Sequence, residues 1–207
     1  MESPAKPLGS SASRAQKKAV TRQVIRQAAR ACFERRGFAE TKIGEITSAA
    51  RVAHGTFYVH FSSKEELMDE LLREFNLEFV ELLGPLIARL DKDPLELTVQ
   101  SAVELFIDHW QARAAFVESY MQRVAKGLDR RSLQSGVNQP MLSLLSAALK
   151  ENSDTPDADV DWELVTHGIL AMALRISLQY LFGTGVTKRQ AIATIVHMTL
   201  GALRSRA

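Results

Sequence analysis

A single cysteine, Cys32, excludes an internal disulfide framework and a multi-cysteine metal site, and suits a cytoplasmic protein. Next to Phe33 in a helical stretch, it reads as a small core residue rather than a redox group. With only 6 prolines and 11 glycines, the chain has little turn-forming material for a β-rich fold. It shows neither a strand pattern nor an internal repeat. No run of about 18 uncharged apolar residues occurs, which argues against a membrane span. The N-terminus also lacks the short apolar stretch of a secretory signal. Catalytic signatures are missing too: there is no nucleophile elbow, phosphate-binding loop or glycine-rich dinucleotide motif. His109 has Asp108 and Glu104 nearby, yet adjacent helix residues face different ways, and His167 and His197 stand alone. The chain is therefore not expected to be an enzyme, nor to need a cofactor or a metal.

What is present favours helices. Apolar residues make up 46% of the 207, mostly Leu, Ala, Val and Ile, enough for one ordinary domain and a small second one. The net charge of +2 conceals an asymmetry. Residues 1–64 hold 12 Lys or Arg against 4 Asp or Glu, whereas residues 65–207 hold 14 against 20. A basic head on an acidic body implies that only the head meets a polyanion.

Residues 1–14, rich in Pro, Ser, Gly and Ala, are expected to form a disordered arm. Its Lys6 and Arg14, with Lys17 and Lys18, can lie along a DNA groove or simply solubilise the tail. A first helix is predicted over about 17–36, closed by Gly37 as C-cap. Val24, Ala28 and Ala31 or Cys32 face inward in this reading, with Arg22, Arg26 and Arg30 in a row elsewhere. Two short helices follow, about 42–49 with Thr41 as N-cap and about 54–60 with Phe57 and Phe61 inward. Each is too short to stand alone, and together they make a helix-turn-helix whose second member can enter a major groove. Ser62 or Ser63 caps a long helix of about 64–83, interrupted near Gly84-Pro85. Beyond Asp93-Pro94, helices are predicted to about Trp110, then over 113–126, 140–150, 161–182 and 188–204, the last with a capping box from Thr187 and Gln190. The expected fold is all-α with about nine helices: a three-helix head at 15–63 on a larger helical body at 64–207.

In the segment 37–67, GFAETKIGEITSAARVAHGTFYVHFSSKEEL, Gly37-Phe38 closes the first helix and Thr41 opens the second. Gly55-Thr56-Phe57-Tyr58 forms the third, Phe61 closes it, and Ser63-Lys64-Glu65-Glu66-Leu67 enters the fourth. This set, within about residues 20–67, resembles the DNA-binding segment of the TetR family of bacterial transcriptional regulators. Two positions depart from the family pattern. Arg51 stands in place of the small turn glycine, and Ala53 replaces the serine that caps the recognition helix, at a cost of about 1 kcal/mol. The resemblance implies that Thr41, Tyr58 and Lys64 meet backbone phosphates; independently, Thr41 and Lys64 stand at helix N-termini, which attract anions. His54, Thr56 and Arg51 offer donors for base edges. Gly55 permits close approach to DNA, and His60 is either a flanking contact or a packing residue.

In the body, Phe106, Trp110, Phe116, Tyr120 and Met121 cluster on two successive helices and can line an apolar effector cavity or form ordinary core. His167 and Arg175 interrupt the apolar run from Leu164 to Leu181; a guanidinium there needs water, a carboxylate or an anionic ligand. The resemblance raises both as polar ligand groups. Leu170, Leu174, Leu178 and Leu181, then Ile192, Ile195, Val196, Met198 and Leu200, supply more apolar surface than one small domain can cover. The resemblance implies that these last two helices pair with their counterparts in a homodimer, matching a palindromic operator. The implied function is a ligand-responsive regulator, a repressor released from double-stranded DNA by a largely apolar small molecule. A transcriptional activator or co-repressed regulator is one alternative. A helical enzyme or protein-interaction module with a vestigial head is another.

Overall fold

Helices account for all the regular structure among the residues that the computed structural model describes, 9–125, 138–154 and 160–204. In chain order they are α1 (Gly9–Glu40), α2 (Ile43–Ala49), α3 (His54–His60), α4 (Lys64–Ile87) and α5 (Leu95–Gln111). After these come α6 (Ala114–Ala125), α7 (Gln139–Glu151), α8 (Trp162–Phe182) and α9 (Lys188–Leu203). Most predicted limits differ by a residue or so, within the fraying of helix ends. The exceptions are α4, which continues past Gly84-Pro85 to Ile87 rather than ending near 83, and α1, which begins at Gly9 rather than near 17. No proline follows Pro7 in this stretch, and alanines lower the cost of extending the helix. Of the expected arm, residues 1–8, with Lys6, lie outside the described residues, as do residues 126–137.

The chain divides into two compact units. The first holds α1, α2, α3, α4 as far as Leu71, and α6 from Glu118. The second holds α4 from Leu72, α5, α6 up to Val117, and α7 to α9. The division therefore falls within α4 rather than before Lys64, because Leu67, Met68 and Leu71 are buried with the head.

In the first unit the core comprises Ile25, Ala29, Cys32 and Phe33 of α1, Phe38, Ile46 of α2, Phe57 of α3 and Phe61. The inner stripe of α1 keeps the expected Cys32 but otherwise lies one residue beyond the predicted one: Val24 is exposed and Ile25 buried, the four-residue spacing Ile25–Ala29–Phe33 carrying the larger side chains. Gly37 breaks α1 at φ +79, a left-handed value that favours glycine. A second constraint acts there, since an added Cβ would sit 2.3 Å from the Gln122 side-chain oxygen of α6. At the entrance of α4, Ser63 Oγ accepts from the Glu66 amide at 3.1 Å. The Glu66 carboxylate accepts from the Ser62 amide and hydroxyl, at 2.7 and 2.6 Å, which hold its carboxyl below the ordinary value. Pro85 lies inside α4, and the helix stops two residues later at Ile87.

The second unit packs α5 against α9, α7 and α9 against α8, and α5 against α8. Its buried centre includes Phe75, Phe79, Phe106, Ile107, Phe116 and Ile195. His109 is buried among these rings, 4.1 Å from Phe75 between centroids. Its Nε2 donates to the Phe75 carbonyl at 2.9 Å, while Nδ1 faces Arg113 Nη1 at 3.4 Å and can only accept. Arg113 also pairs with Glu78. Acceptance at Nδ1 from Arg113 requires a neutral imidazole, and burial lowers the His109 pKa, opposed by the Phe75 hydrogen bond and reinforced by the Arg113 charge. A lowered folded pKa contributes stability that is complete above the unfolded value of about 6.5 and is lost as pH falls through the folded one. The urea midpoint should therefore drop between pH 7.5 and 5.5, and drop less in His109→Gln; an identical pH dependence in the variant would assign the loss elsewhere.

Candidate nucleic-acid interface and apolar cavity

Burial of Phe57 and Phe61 fixes which face of α3 is left to solvent. That outer face carries His54, Gly55, Tyr58 and Val59, with exposed Arg51 in the preceding turn and Thr56 half-buried at the edge. The His54 and Tyr58 rings meet edge to face at 5.6 Å. A Cβ built on Gly55 meets nothing within 4 Å, so its backbone is open to close approach. Val59, 65% exposed, was not foreseen, because a valine in a helix reads as core. Its position four residues beyond Gly55 was the available signal. An apolar side chain there suits the methyl group of thymine.

Arg51 sits at φ +55, the one non-glycine residue at positive φ among the described residues. The turn between α2 and α3 therefore keeps its left-handed geometry despite losing the glycine. Such a backbone costs an ordinary residue roughly 1–2 kcal/mol. Arg51→Gly should accordingly stabilise the protein by about 1 kcal/mol, after the greater unfolded-state freedom of glycine is subtracted. Thermal melting checks this, and an unchanged or lower midpoint would show that the turn is relaxed around arginine. Ala53, as expected, gives α3 no side-chain cap.

Two expected contacts, Thr41 and Lys64, are corrected by where their side chains point, and His60 takes its packing alternative. Thr41 is buried, and its hydroxyl donates to the Gly37 carbonyl at 2.8 Å and the Cys32 carbonyl at 3.3 Å. The N-cap of α2 is Lys42, whose amide already donates to Glu45 at 2.8 Å, holding the Glu45 carboxyl below its usual value. Lys64 turns its ammonium to the carbonyls of Phe38 and Thr41, at 2.6 and 2.8 Å, and over the Phe38 ring at 4.4 Å. The Phe38 carbonyl in the last turn of α1 and the Thr41 carbonyl just beyond it draw the charge inward. His60 is 7% exposed, with burial the first cause of its lowered pKa, followed by Lys18 and Arg22. Its backbone carbonyl accepts from Arg22. The predicted arginine row is also partly internal: Arg22 and Arg26 both pair with Glu70 of α4, and Arg22 lies over the Phe61 ring at 4.1 Å.

The second unit contains a cavity of about 110 Å³. Its walls come from α4, α5, α7, α8 and α9 and include Phe79, Leu83, Val103, Phe106, Leu149 and Ile169. Of the residues predicted to line an effector site, only Phe106 does so here. Trp110 and Phe116 are buried against Phe75 as ordinary core, with ring centroids 5.5 and 5.9 Å away. Tyr120 and Met121 belong to the first unit. His167 and Arg175 are exposed on α8, so the guanidinium is solvated without any buried ligand. The metal cluster weighed around His109 is not formed either, and no group of three or more possible ligands occurs among the described residues.

A helix-turn-helix with an uncovered recognition helix, in one chain with a helical unit that contains an apolar cavity, defines a DNA-binding regulator of transcription. Residues 25–71 match the profile of bacterial regulatory proteins of the tetR family. The transcriptional repressor KstR2 of Mycobacterium tuberculosis is 31% identical over 140 residues, spanning 64% of this chain and 68% of the relative. The chain belongs to the TetR family. Solved folds agree across nearly its whole length. The fatty acid degradation regulator FadR of Bacillus halodurans superimposes with a TM-score of 0.67 at 21% identity, over 89% of this chain and 97% of that one. FadR of Thermus thermophilus, a TetR-family repressor crystallised with lauroyl-CoA, gives 0.68 at 18% identity, over 90% and 96%.

Proposed function

We propose that this regulator is a ligand-released repressor: a homodimer that holds a palindromic operator through α3 and lets go when a largely apolar molecule fills the cavity of the second unit. The cavity is the observation that carries the ligand part. Protein cores close such spaces, and one left open between five helices loses packing that a bound hydrophobe restores. The lauroyl-CoA held by the Thermus regulator offers a matching apolar chain in a protein of the same fold. Repression is the activity named for the KstR2 relative. Both α4 and α6 contribute residues to the head and to the cavity-bearing unit, which makes them the elements through which ligand binding shifts the spacing of two heads.

Support for the homodimer comes from α8. It is long and apolar enough, by length and composition, to cross a membrane, and only 17% of its most apolar stretch is buried within one chain. Leu164, Gly168, Ala171, Arg175 and Phe182 are exposed at three-, four- and seven-residue spacing, one continuous stripe. Gln190, Thr194, Met198 and Gly201 form a second exposed stripe on α9. A second copy covers both stripes in a helical interface.

On DNA, Arg51, His54, Gly55, Thr56, Tyr58 and Val59 are assigned to the groove and its flanking phosphates. Genome-wide mapping of bound DNA should return a short palindrome. Thr56→Ala should cost about 1–3 kcal/mol on that site if its hydroxyl reads a base, and far less on a scrambled duplex, with the salt slope unchanged. Equal weakening of both duplexes would remove Thr56 from base reading. A cavity ligand that tightens operator binding would reverse the sign, making the protein a co-repressed regulator.

A further inference from the structure

Resting on the assignment of α3 to the groove, we infer that the N-terminal part of α1 is a second DNA-contacting surface, on which Arg14, Lys17 and Lys18 hold backbone phosphates outside the bases that α3 meets. From Ser13 to Val24 no residue of α1 is buried, so about three turns of the helix add nothing to the core of the head. The core nevertheless defines which face these turns present. Ile25, Ala29 and Cys32 form the inner face of α1, and Arg14, Lys18 and Thr21 continue it backwards at four- and three-residue spacing, with Lys17 beside them. The face that packs the head therefore turns from apolar to basic. Arg22 marks where this happens: its guanidinium donates to the His60 carbonyl, at the end of α3, and lies over the Phe61 ring. Lys18 stands one turn earlier. After burial, its charge is the next cause of the lowered His60 pKa, so its ammonium lies near the recognition helix.

Arg14, Lys17 and Lys18 are exposed, whereas Arg22 and Arg26 pair with Glu70. No Asp or Glu occurs from Gly9 to Phe33, and no carboxylate pairs with the three exposed cations among the described residues. Their charge fits a polyanion, and the polyanion already assigned to this unit lies against the neighbouring α3. From Ile25 back to Arg14 the helix rises about 16 Å, a length of several base-pair steps, which reaches phosphates beyond those beside α3.

The test titrates the full chain against a random-sequence duplex and against the palindrome returned by mapping, over a range of salt concentrations. Arg14→Gln with Lys17→Gln and Lys18→Gln should lower the slope of log affinity against log salt by about 2–3 per head. Both duplexes should be affected alike, because a phosphate contact carries no sequence information. Arg14→Lys with Lys17→Arg and Lys18→Arg should keep the wild-type slope. Arg89→Gln with Lys92→Gln and Lys150→Gln removes as much charge from exposed positions of the second unit and should leave the slope in place, which separates contact from general attraction. All three variants should melt as wild type does, since no substituted side chain is buried. A neutral α1 variant with the wild-type slope overturns the proposal and leaves α3 in the groove. A loss confined to the palindrome also overturns it, making the stripe a reader of bases. Wild-type protein without preference for a palindrome removes α3 from the groove, while the slope on random DNA still decides the role of the stripe.

Discussion

Asp69→Ala should destabilise the DNA-binding head by about 3–5 kcal/mol, enough to unfold much of it at physiological temperature. The reason is Arg123. Its side chain is fully buried, and its Nη1 donates to Asp69 Oδ1 at 2.5 Å. The remaining guanidinium nitrogens, Nε and Nη2, have no hydrogen-bond partner. The guanidinium also lies 5.9 Å from the Phe38 ring, a weak attraction that cannot replace a carboxylate. Removing Asp69 therefore strands a positive charge among apolar rings. Replacing both partners should be far milder: Asp69→Ala with Arg123→Met removes the charge along with its counter-ion, and should recover most of the loss. Denaturant titration of the two single variants and the double variant measures the coupling directly. A single-variant loss below about 1 kcal/mol would mean that water reaches the pair and that it resembles a surface ion pair.

Leu164→Glu combined with Met198→Glu should give a folded monomer whose affinity for a palindromic operator is lower by about 10²–10⁴-fold. Leu164 is 69% and Met198 48% exposed in the single chain, so neither carries its core. In the proposed dimer both become buried, and each new carboxylate is repeated by symmetry on the partner, bringing like charges into an apolar interface. One head alone then meets one half-site, and the advantage of linked binding is lost. Light scattering reads the mass, circular dichroism confirms the helices, and operator titration gives the affinity. A dimeric mass in the variant would place the interface elsewhere. A monomer with undiminished operator affinity would show that the heads bind independently.

How legible the sites were depended on whether their signals are local. Phe57 and Phe61, four apart, had to share the buried face of a short helix, so the outer face of α3 followed from the sequence. The capping pair at Thr187 and Gln190 was equally plain and is formed as written, the Gln190 amide donating to Thr187 Oγ1 at 3.2 Å. Arg51 was legible as a departure, and its left-handed backbone was the one geometry that kept the turn. Long-range contacts were not legible. Lys64 and Thr41 stand at helix starts, where anions bind, yet the carbonyls that claim them belong to the end of α1. Val24 and Ile25 are adjacent and both apolar, and only packing chose between them.

The sequence by itself therefore determined the helices, their order and the helix-turn-helix. Each of these depends on spacing within some four residues, or on composition. Tertiary structure alone decided which polar groups stay available to a ligand or to DNA. Lys64, Thr41 and Arg22 are drawn inward by partners 4 to 48 positions away. It also decided where the cavity opens, between α4, α5, α7, α8 and α9 rather than beside the Trp110 and Phe116 cluster. A void is a property of how five helix faces fail to meet, and no residue records that failure in its own neighbourhood of the chain.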